Sequence, residues 1–416
     1  MAKQNNVPCR RTTIHDIPDD LLQLTFLHIP SPADIIRAAA TCKVWRRVIG
    51  NADFLLRFRR HHGPHILGHY YTKYGRTDFF PCPAPAGQIA VDDDTVSDRT
   101  CLYFLTTSYY NLNSAELHDS RGGLLAFHHD SRRAPLIVCN PWTREHRKIY
   151  RPMPTRATTY TLSFLGIFLL DPEPGDGEIG MDLDMSNFRV LCVRLACCYH
   201  DGRKTAEASV FSASQEHWLL LSNTMAIADD ILPEFYLVDQ PLFVLVGRAS
   251  GSICWCTRTS SNVILHLDES TGEFSLFTLP VHAGVNMDTL LYRRANLRVI
   301  GGDIVGTTRL VRILGGNLEV LQYAHGSGSC DSGVCAVERR ICLPCLFAEP
   351  QPLVWCFADR ADGVEACGSV ALCDVLCDDA EFIRNRKLAA DVKNLRMERV
   401  EWLSDGGWSF PYEMTQ

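Results

Sequence analysis

The sequence predicts a small all-helical module at the N-terminus followed by a much larger all-β domain. Three observations predict it. Residues 14–62 set helix-start and helix-stop residues around apolar runs of helical spacing. Beyond residue 99, short β-rich runs recur between glycine and asparagine turns. The charge also changes sign between the two parts: residues 1–65 hold ten Lys+Arg against five Asp+Glu, a net of +5, and the rest holds 31 against 43, a net of −12. At 416 residues and 46% hydrophobic content, both parts have enough apolar material to build cores without disulfides or metals.

Composition also excludes function classes. With only 21% charged residues, wholesale disorder is ruled out. A net charge of −7 argues against nucleic acid as the partner, because proteins that live on phosphates carry a basic field. The segment from Met1 to Arg11 lacks the apolar run of a signal peptide, and the greasiest stretch, Thr161 to Leu170, is about half of what crosses a bilayer. The expectation is a chain with no membrane partner, in the cytosol or nucleus, whose 18 Cys serve as small buried hydrophobes rather than a disulfide framework.

Taken in order, residues 1–13 read as disordered and residues 14–62 as the helical module. In Asp16-Ile17-Pro18-Asp19-Asp20, proline falls in a first turn and acids at the positive end of the helix dipole. Leu21 to Leu27 continues as helix. Ser31-Pro32-Ala33-Asp34 pairs an N-cap serine with proline at the first helical position and an acid three residues on, and Ile35, Ile36, Ala38, Ala39 and Cys42 follow. A third stretch carries Val44, Trp45, Val48 and Ile49 and stops near Gly50. A short fourth starts between Asn51 and Asp53 with Phe54, Leu55 and Phe58. The first helix is apolar on more than one face: Ile17, Leu21, Leu24 and Leu27 lie on one side, with Leu22 and Phe26 angled away. A unit of about fifty residues cannot hide all of that within itself, so an uncovered apolar face predicts a partner protein. The basic cluster Arg57, Arg59, Arg60, His61 and His62 reads as a solvated helix face or a rim around an acidic partner.

These residues carry a resemblance. Ile17-Pro18-Asp19-Asp20-Leu21-Leu22, Phe26-Leu27-His28-Ile29-Pro30, Ile35 with Ala38-Ala39, and Cys42-Lys43-Val44-Trp45-Arg46 resemble the F-box motif. Thr25 stands where that family usually has Ile, and Ile17 where it usually has Leu. The resemblance implies docking on the Skp-type adaptor of a cullin-based ubiquitin ligase, through Ile17, Pro18, Leu21, Leu22, Phe26, Leu27, Ile35, Cys42 and Trp45.

Residues 63–98, rich in Pro, Gly and Asp, read as an irregular linker. From residue 99 to 416 the β pattern takes over. Gly122-Gly123-Leu124-Leu125-Ala126-Phe127, Gly251-Ser252-Ile253-Cys254-Trp255, Gly302-Asp303-Ile304-Val305-Gly306 and Gly368-Ser369-Val370-Ala371-Leu372 are each a glycine turn feeding a strand. The first gap is about twice the others, as expected if a four-stranded unit of roughly 40–50 residues repeats and one copy has lost its signature. The stretches Leu136 to Thr143, Phe188 to Val193, Ala208 to Ser212 with Trp218, and Val263 to Phe274 each read as a strand turned into the next. Together they are similar to the F-box-associated β-propeller region of plant F-box proteins, and the whole most resembles the grass set. The segment from Ala380 to Val400 reads as helical and fits the pattern least.

Catalytic and cofactor signatures are weak. Cys342-Leu343-Pro344-Cys345 has zinc-knuckle spacing, but no second tight pair accompanies it. Cys254 and Cys256 share one strand face and read as core. Gly175 to Gly180 imitates a dinucleotide fingerprint inside an acidic loop that would repel a pyrophosphate. The fifteen His are scattered, with His61-His62 and His128-His129 as the only pairs. No metal, cofactor or catalytic residue is expected. The resemblance implies a non-catalytic, substrate-recognition subunit of an SCF-type ubiquitin ligase, with the Skp adaptor and through it cullin on one side and a protein target on the other. The rival readings are an F-box scaffold that does not promote degradation and an enzyme built on propeller blades.

Overall fold

The computed structural model describes residues 17–29, 32–62, 66–73, 76–81, 100–105, 115–129, 134–152, 159–172, 183–198, 200–221, 225–228, 243–249, 251–257, 263–279, 297–301, 308–314, 317–323, 333–342, 354–357, 369–378, 381–391, 396–399 and 408–413. The chain divides into two compact units, Met1–His65 and Ile66–Gln416.

The first unit is helical: α1 (Asp19–Leu27), α2 (Pro32–Thr41), α3 (Lys43–Ile49) and α4 (Ala52–His62). Asp19 and Asp20 occupy the first turn of α1, where the helix dipole favours them. Pro18 stands one residue earlier than the sequence suggests. Its φ of −59° is helix-compatible but its ψ of 147° is extended, so it caps the helix from outside and its carbonyl accepts the Leu22 N–H at 3.1 Å. At α3, the Cys42 sulfur accepts the Trp45 N–H at 3.5 Å. At α4, Asn51 Oδ1 accepts the N–H groups of Asp53 at 2.9 Å and Phe54 at 3.2 Å, satisfying two of the donors a helix start leaves orphaned. With that cap, α4 runs for 11 residues and is the longest helix of the unit rather than a short one. Leu22, Phe26, Leu27, Ile35, Val48, Ile49, Phe54 and Phe58 form the buried core. Phe26 centres it, meeting Trp45 edge-on at 5.2 Å and Phe54 at 6.4 Å.

The second unit is built of strands. β1 (Ile66–Lys73) and β2 (Arg76–Pro81) form an opening hairpin, so the span from 63 to 98 is not wholly irregular: alternating His69, Tyr70, Tyr71 and Thr72 pair with the strand that follows. The first four-stranded sheet is β3 (Ala115–Arg121), β4 (Leu124–His129), β5 (Leu136–Asn140) and β6 (Glu145–Ile149). The second is β7 (Thr159–Leu170), β8 (Arg189–Cys198) and β9 (Lys204–Ser212), whose outer edge is shared by β10 (His217–Leu220) and β11 (Met225–Ile227). The third is β12 (Phe243–Ala249), β13 (Ser252–Thr257), β14 (Val263–Asp268) and β15 (Phe274–Thr278). The fourth is β16 (Leu297–Gly301), β17 (Thr308–Leu314), β18 (Asn317–Tyr323) and β19 (Gly333–Cys342). The fifth is β20 (Val354–Phe357), β21 (Ser369–Asp378), β22 (Glu381–Asp391) and β23 (Arg396–Arg399), after which β24 (Trp408–Glu413) pairs with β1.

Each four-stranded sheet is an antiparallel meander in chain order. The first strands of the first four sheets pack side by side, β3 against β7, β7 against β12 and β12 against β16, while β24 packs against β3 and β20 against β17. Strands from both ends of the unit share one sheet, Tyr70 lying opposite Phe410. Successive meanders with adjacent first strands, tied together by the two chain ends, are a propeller-type arrangement. The third and fourth sheets are also stitched along their outer edges by a short parallel pairing, Phe277 with Gly333 and Thr278 with Val334.

The repeat anticipated from the glycine turns falls on the second strand of three sheets, β4, β13 and β21, while the stretch Gly302 to Gly306 lies outside the described residues. Gly122, Gly123 and Gly251 take φ of +54°, +74° and +76°, a region other residues enter at a cost. The copy without a signature is the second sheet, where β8 is preceded instead by Asp184, whose Oδ1 accepts the N–H groups of Ser186 and Asn187. Three of the four strand-to-turn stretches share a role: they turn the third strand into the fourth at Asn140, Ser212 and Asp268, and four residues on Arg144, Glu216 and Gly272 take φ of 62°, 59° and 70°. The remaining one, Phe188 to Val193, instead opens β8, the second strand of its sheet. Asn140 Oδ1 accepts the Trp142 and Thr143 N–H groups, and Asp268 Oδ1 those of Ser270 and Thr271.

In the segment from 380 to 400, read from sequence as helical, the described residues are strand: β22 pairs with β21 from Asp378 opposite Glu381 to Ser369 opposite Asp391, and β23 pairs with β22. Ten-residue pairing with a partner outweighs the local helix propensity of Arg, Lys, Leu and Ala. Cys254 and Cys256 are buried as core. Between sheets, the Trp255 indole on β13 is fully buried and donates to the Leu165 carbonyl on β7 at 2.9 Å. A buried ion network joins three sheets. Arg248 on β12 donates to Asp119 on β3 at 3.0 Å, to Glu269 at 2.5 and 2.7 Å, and to the Leu169 carbonyl on β7 at 2.8 Å. Asp119 also accepts the Leu169 N–H at 2.6 Å. Burial raises its carboxyl above the ordinary range even though Arg248 and the Leu169 N–H act to lower it: one guanidinium already neutralised by Glu269 serves a second acid incompletely.

Candidate partner-binding site

The helical unit sorts its apolar residues into two sets. Turning α1 so that Leu22, Phe26 and Leu27 enter the core leaves Leu21 and Leu24, three apart, on the opposite side, and Ile17 is exposed just ahead of the helix. Ile17, Leu21 and Leu24 are 36%, 50% and 47% exposed, and Ile36 on α2 is 61% exposed. Four large aliphatic side chains on one small unit are more than chance scatter on a soluble surface. Their surroundings are charged but tied down. Arg47 pairs with Asp19 at 2.8 Å, Arg37 with Asp34 at 2.5 Å, and Arg57 donates to Gln23 at 3.1 Å. Thr25, standing where the motif usually has Ile, donates its hydroxyl to the Leu21 carbonyl at 2.8 Å, so its polar atom is satisfied within the helix and its methyl remains for contact.

Of the residues the resemblance assigns to the adaptor, Ile17, Pro18 and Leu21 are exposed. Cys42 and Trp45 are half-buried, one capping α3 and the other leaning on Phe26. Leu22, Phe26, Leu27 and Ile35 lie in the core of the unit. Leu24 and Ile36 stand exposed without having been assigned to the site. The signal for Leu24 was its helical spacing of three from Leu21; nothing in the sequence separates Ile36 from its buried neighbour Ile35. The N-cap expected at Ser31 lies outside the described residues, as do residues 1–13.

In the β unit, among the described residues, no group of three or more His, Cys, Asp or Glu is placed to hold a metal ion. No helix there or elsewhere among them is long and apolar enough to cross a membrane. Cys345 and the stretch from Gly175 to Gly180 lie outside the described residues. The pair His128-His129 splits, His128 buried on β4 and His129 half-exposed.

The fold defines a two-part protein, a small helical module joined to a large all-β domain. Residues 14–59 match the F-box-like family, so the chain carries an F-box-like domain at its N-terminus. No curated protein matches the chain. Among solved structures it is similar to the β-propeller domain of Cps50 (Swd1) from Myceliophteria thermophila, at 9% identity and a TM-score of 0.25, covering 68% of this chain and 94% of that one. It is also similar to the GH43 protein BlXynB from Bacillus licheniformis, at 10% identity and a TM-score of 0.26, covering 72% of this chain and 55% of that one. The propeller-type assignment rests on the sheet order described above and not on these likenesses.

Proposed function

We propose that the chain is the substrate-recognition subunit of an SCF-type ubiquitin ligase, acting in the cytosol or nucleus. The helical unit docks on a Skp-type adaptor, through it on cullin, and the β domain holds a protein target. The observation that carries this reading is the uncovered stripe of Ile17, Leu21 and Leu24, with Ile36, on a unit that matches the F-box-like family. The chain itself performs no bond chemistry in this role. It raises the effective concentration of target lysines at the ubiquitin-charged enzyme, which is catalysis by proximity.

The test is affinity purification of the full chain beside an Ile17→Ala/Pro18→Ala variant. The adaptor and cullin are expected to be lost from the variant, while proteins held by the β domain are retained by both. Undiminished adaptor occupancy on the variant overturns the reading.

A further inference from the structure

We propose that the seam between the first and second sheets of the β domain is an acid-sensitive latch, with His128 as its titrating group. His128 on β4 lies flat against Phe164 on β7, with ring centroids 4.0 Å apart and planes 9° off parallel. His118 on β3 meets the edges of both rings, at 5.1 Å from His128 and 5.7 Å from Phe164. Three rings from two sheets thus close the seam.

His128 is only 6% exposed, and its Nε2 is buried without a hydrogen-bond partner. The groups around it offer a proton no welcome. His118 comes from β3 and His129 from its own strand. Arg151, just after β6, donates to the His129 carbonyl and lies over Phe164 at 5.2 Å. The carboxylate opposite His128 in register, Glu116 on β3, is exposed. Phe164 brings no charge from β7. Burial above all, then His118, Arg151 and His129, push the His128 imidazole far below its ordinary value of 6.5.

The sign follows from linkage. A histidine depressed in the closed state and ordinary in the open one binds more protons when the seam is open. Closure is therefore fully favoured above pH 6.5 and weakens as pH falls below it, by up to about tenfold in the opening constant per pH unit. The acid-favoured state is one in which the rings have parted and His128 is hydrated.

Hydrogen exchange of the full chain at pH 7.5 and 5.5, corrected for intrinsic rates, tests this against His128→Phe, which keeps a flat ring on Phe164 but cannot titrate. In the wild type, peptides covering 124–129 and 163–170 are expected to open up to about tenfold more at the lower pH, with peptides from β13 and β14 unchanged. In His128→Phe that rise is expected to vanish. Should His128→Phe not fold, His128→Gln serves in its place, and should neither fold, the wild type decides alone: a rise confined to the seam supports the latch. No such rise, a rise spread over all sheets, or an equal rise in either variant overturns it.

Discussion

Leu21 and Leu24 offer a perturbation that separates binding from folding. Both are about half exposed, so a partner that covers them removes only the remaining half of their apolar surface from water. Full burial of a leucine is worth about 1.5–3 kcal/mol, which leaves about 0.7–1.5 kcal/mol for each and roughly 1.5–3 kcal/mol for the pair. At 1.4 kcal/mol per tenfold, Leu21→Ala/Leu24→Ala is expected to weaken adaptor binding by roughly 10- to 150-fold. The same change asks little of the fold, because the lost atoms face solvent and alanine is the better helix former. The stability change is expected to stay within about 0.5 kcal/mol. Phe26→Ala is the converse control. Phe26 is buried between Trp45 and Phe54, and its truncation is expected to cost about 3–5 kcal/mol of folding free energy. Calorimetric titration of the full chain with a Skp-type adaptor reads the first quantity and thermal denaturation the second. If the double variant binds as tightly as wild type, or melts early while binding normally, the division into an outer contact stripe and an inner core is wrong.

Three other outcomes are expected. Arg248→Ala strands Asp119 and Glu269 without their shared cation and is expected to cost about 3–5 kcal/mol in urea denaturation; a loss under 1 kcal/mol would mean that water serves those carboxylates. Gly272→Ala places a Cβ 2.8 Å from Leu221 Cδ1 at a φ of +70° and is expected to cost about 1–2 kcal/mol, again by denaturant titration. Asn51→Ala removes the acceptor of two α4 N–H groups and is expected to destabilise the helical unit by about 1 kcal/mol, visible as a lowered far-ultraviolet helical melt.

What could be read from sequence was local. Proline and acids before a run of leucines, Asn51 before Ala52-Asp53-Phe54, and glycines with obligatory positive φ are punctuation whose meaning depends on a few neighbouring atoms. They placed four helices and, among the described residues, the glycine turns at Gly122-Gly123 and Gly251. What failed depended on distant partners. The strands β1 and β2 lie in a stretch rich in turn residues, and β1 gains its second neighbour from residues 408–413 at the other end of the chain. The strand β22 carries helix-forming residues and is held extended by β21. In the candidate site, Ile35 and Ile36 are chemically alike, and only the rotation of α2 against its neighbours decides that one is core and the other is exposed.

The same dependence on distance explains where the β domain places its polar residues. Apolar packing between sheets is tolerant of which sheet lies alongside, since leucine and valine faces are nearly interchangeable. The Arg248 network is not. Its members come from residues as far as 129 apart in sequence, and each requires the other two sheets to be present. Asp119 needs the Leu169 N–H on the second sheet and the guanidinium on the third; without either, a buried carboxylate is left short of donors, at several kcal/mol. The Trp255 indole sets a similar condition by needing the Leu165 carbonyl of β7. An arrangement that put the third sheet beside any other neighbour would keep most of its hydrophobic burial and lose these bonds. The polar contacts thus select the order of the sheets, while the apolar ones supply the bulk of the cohesion.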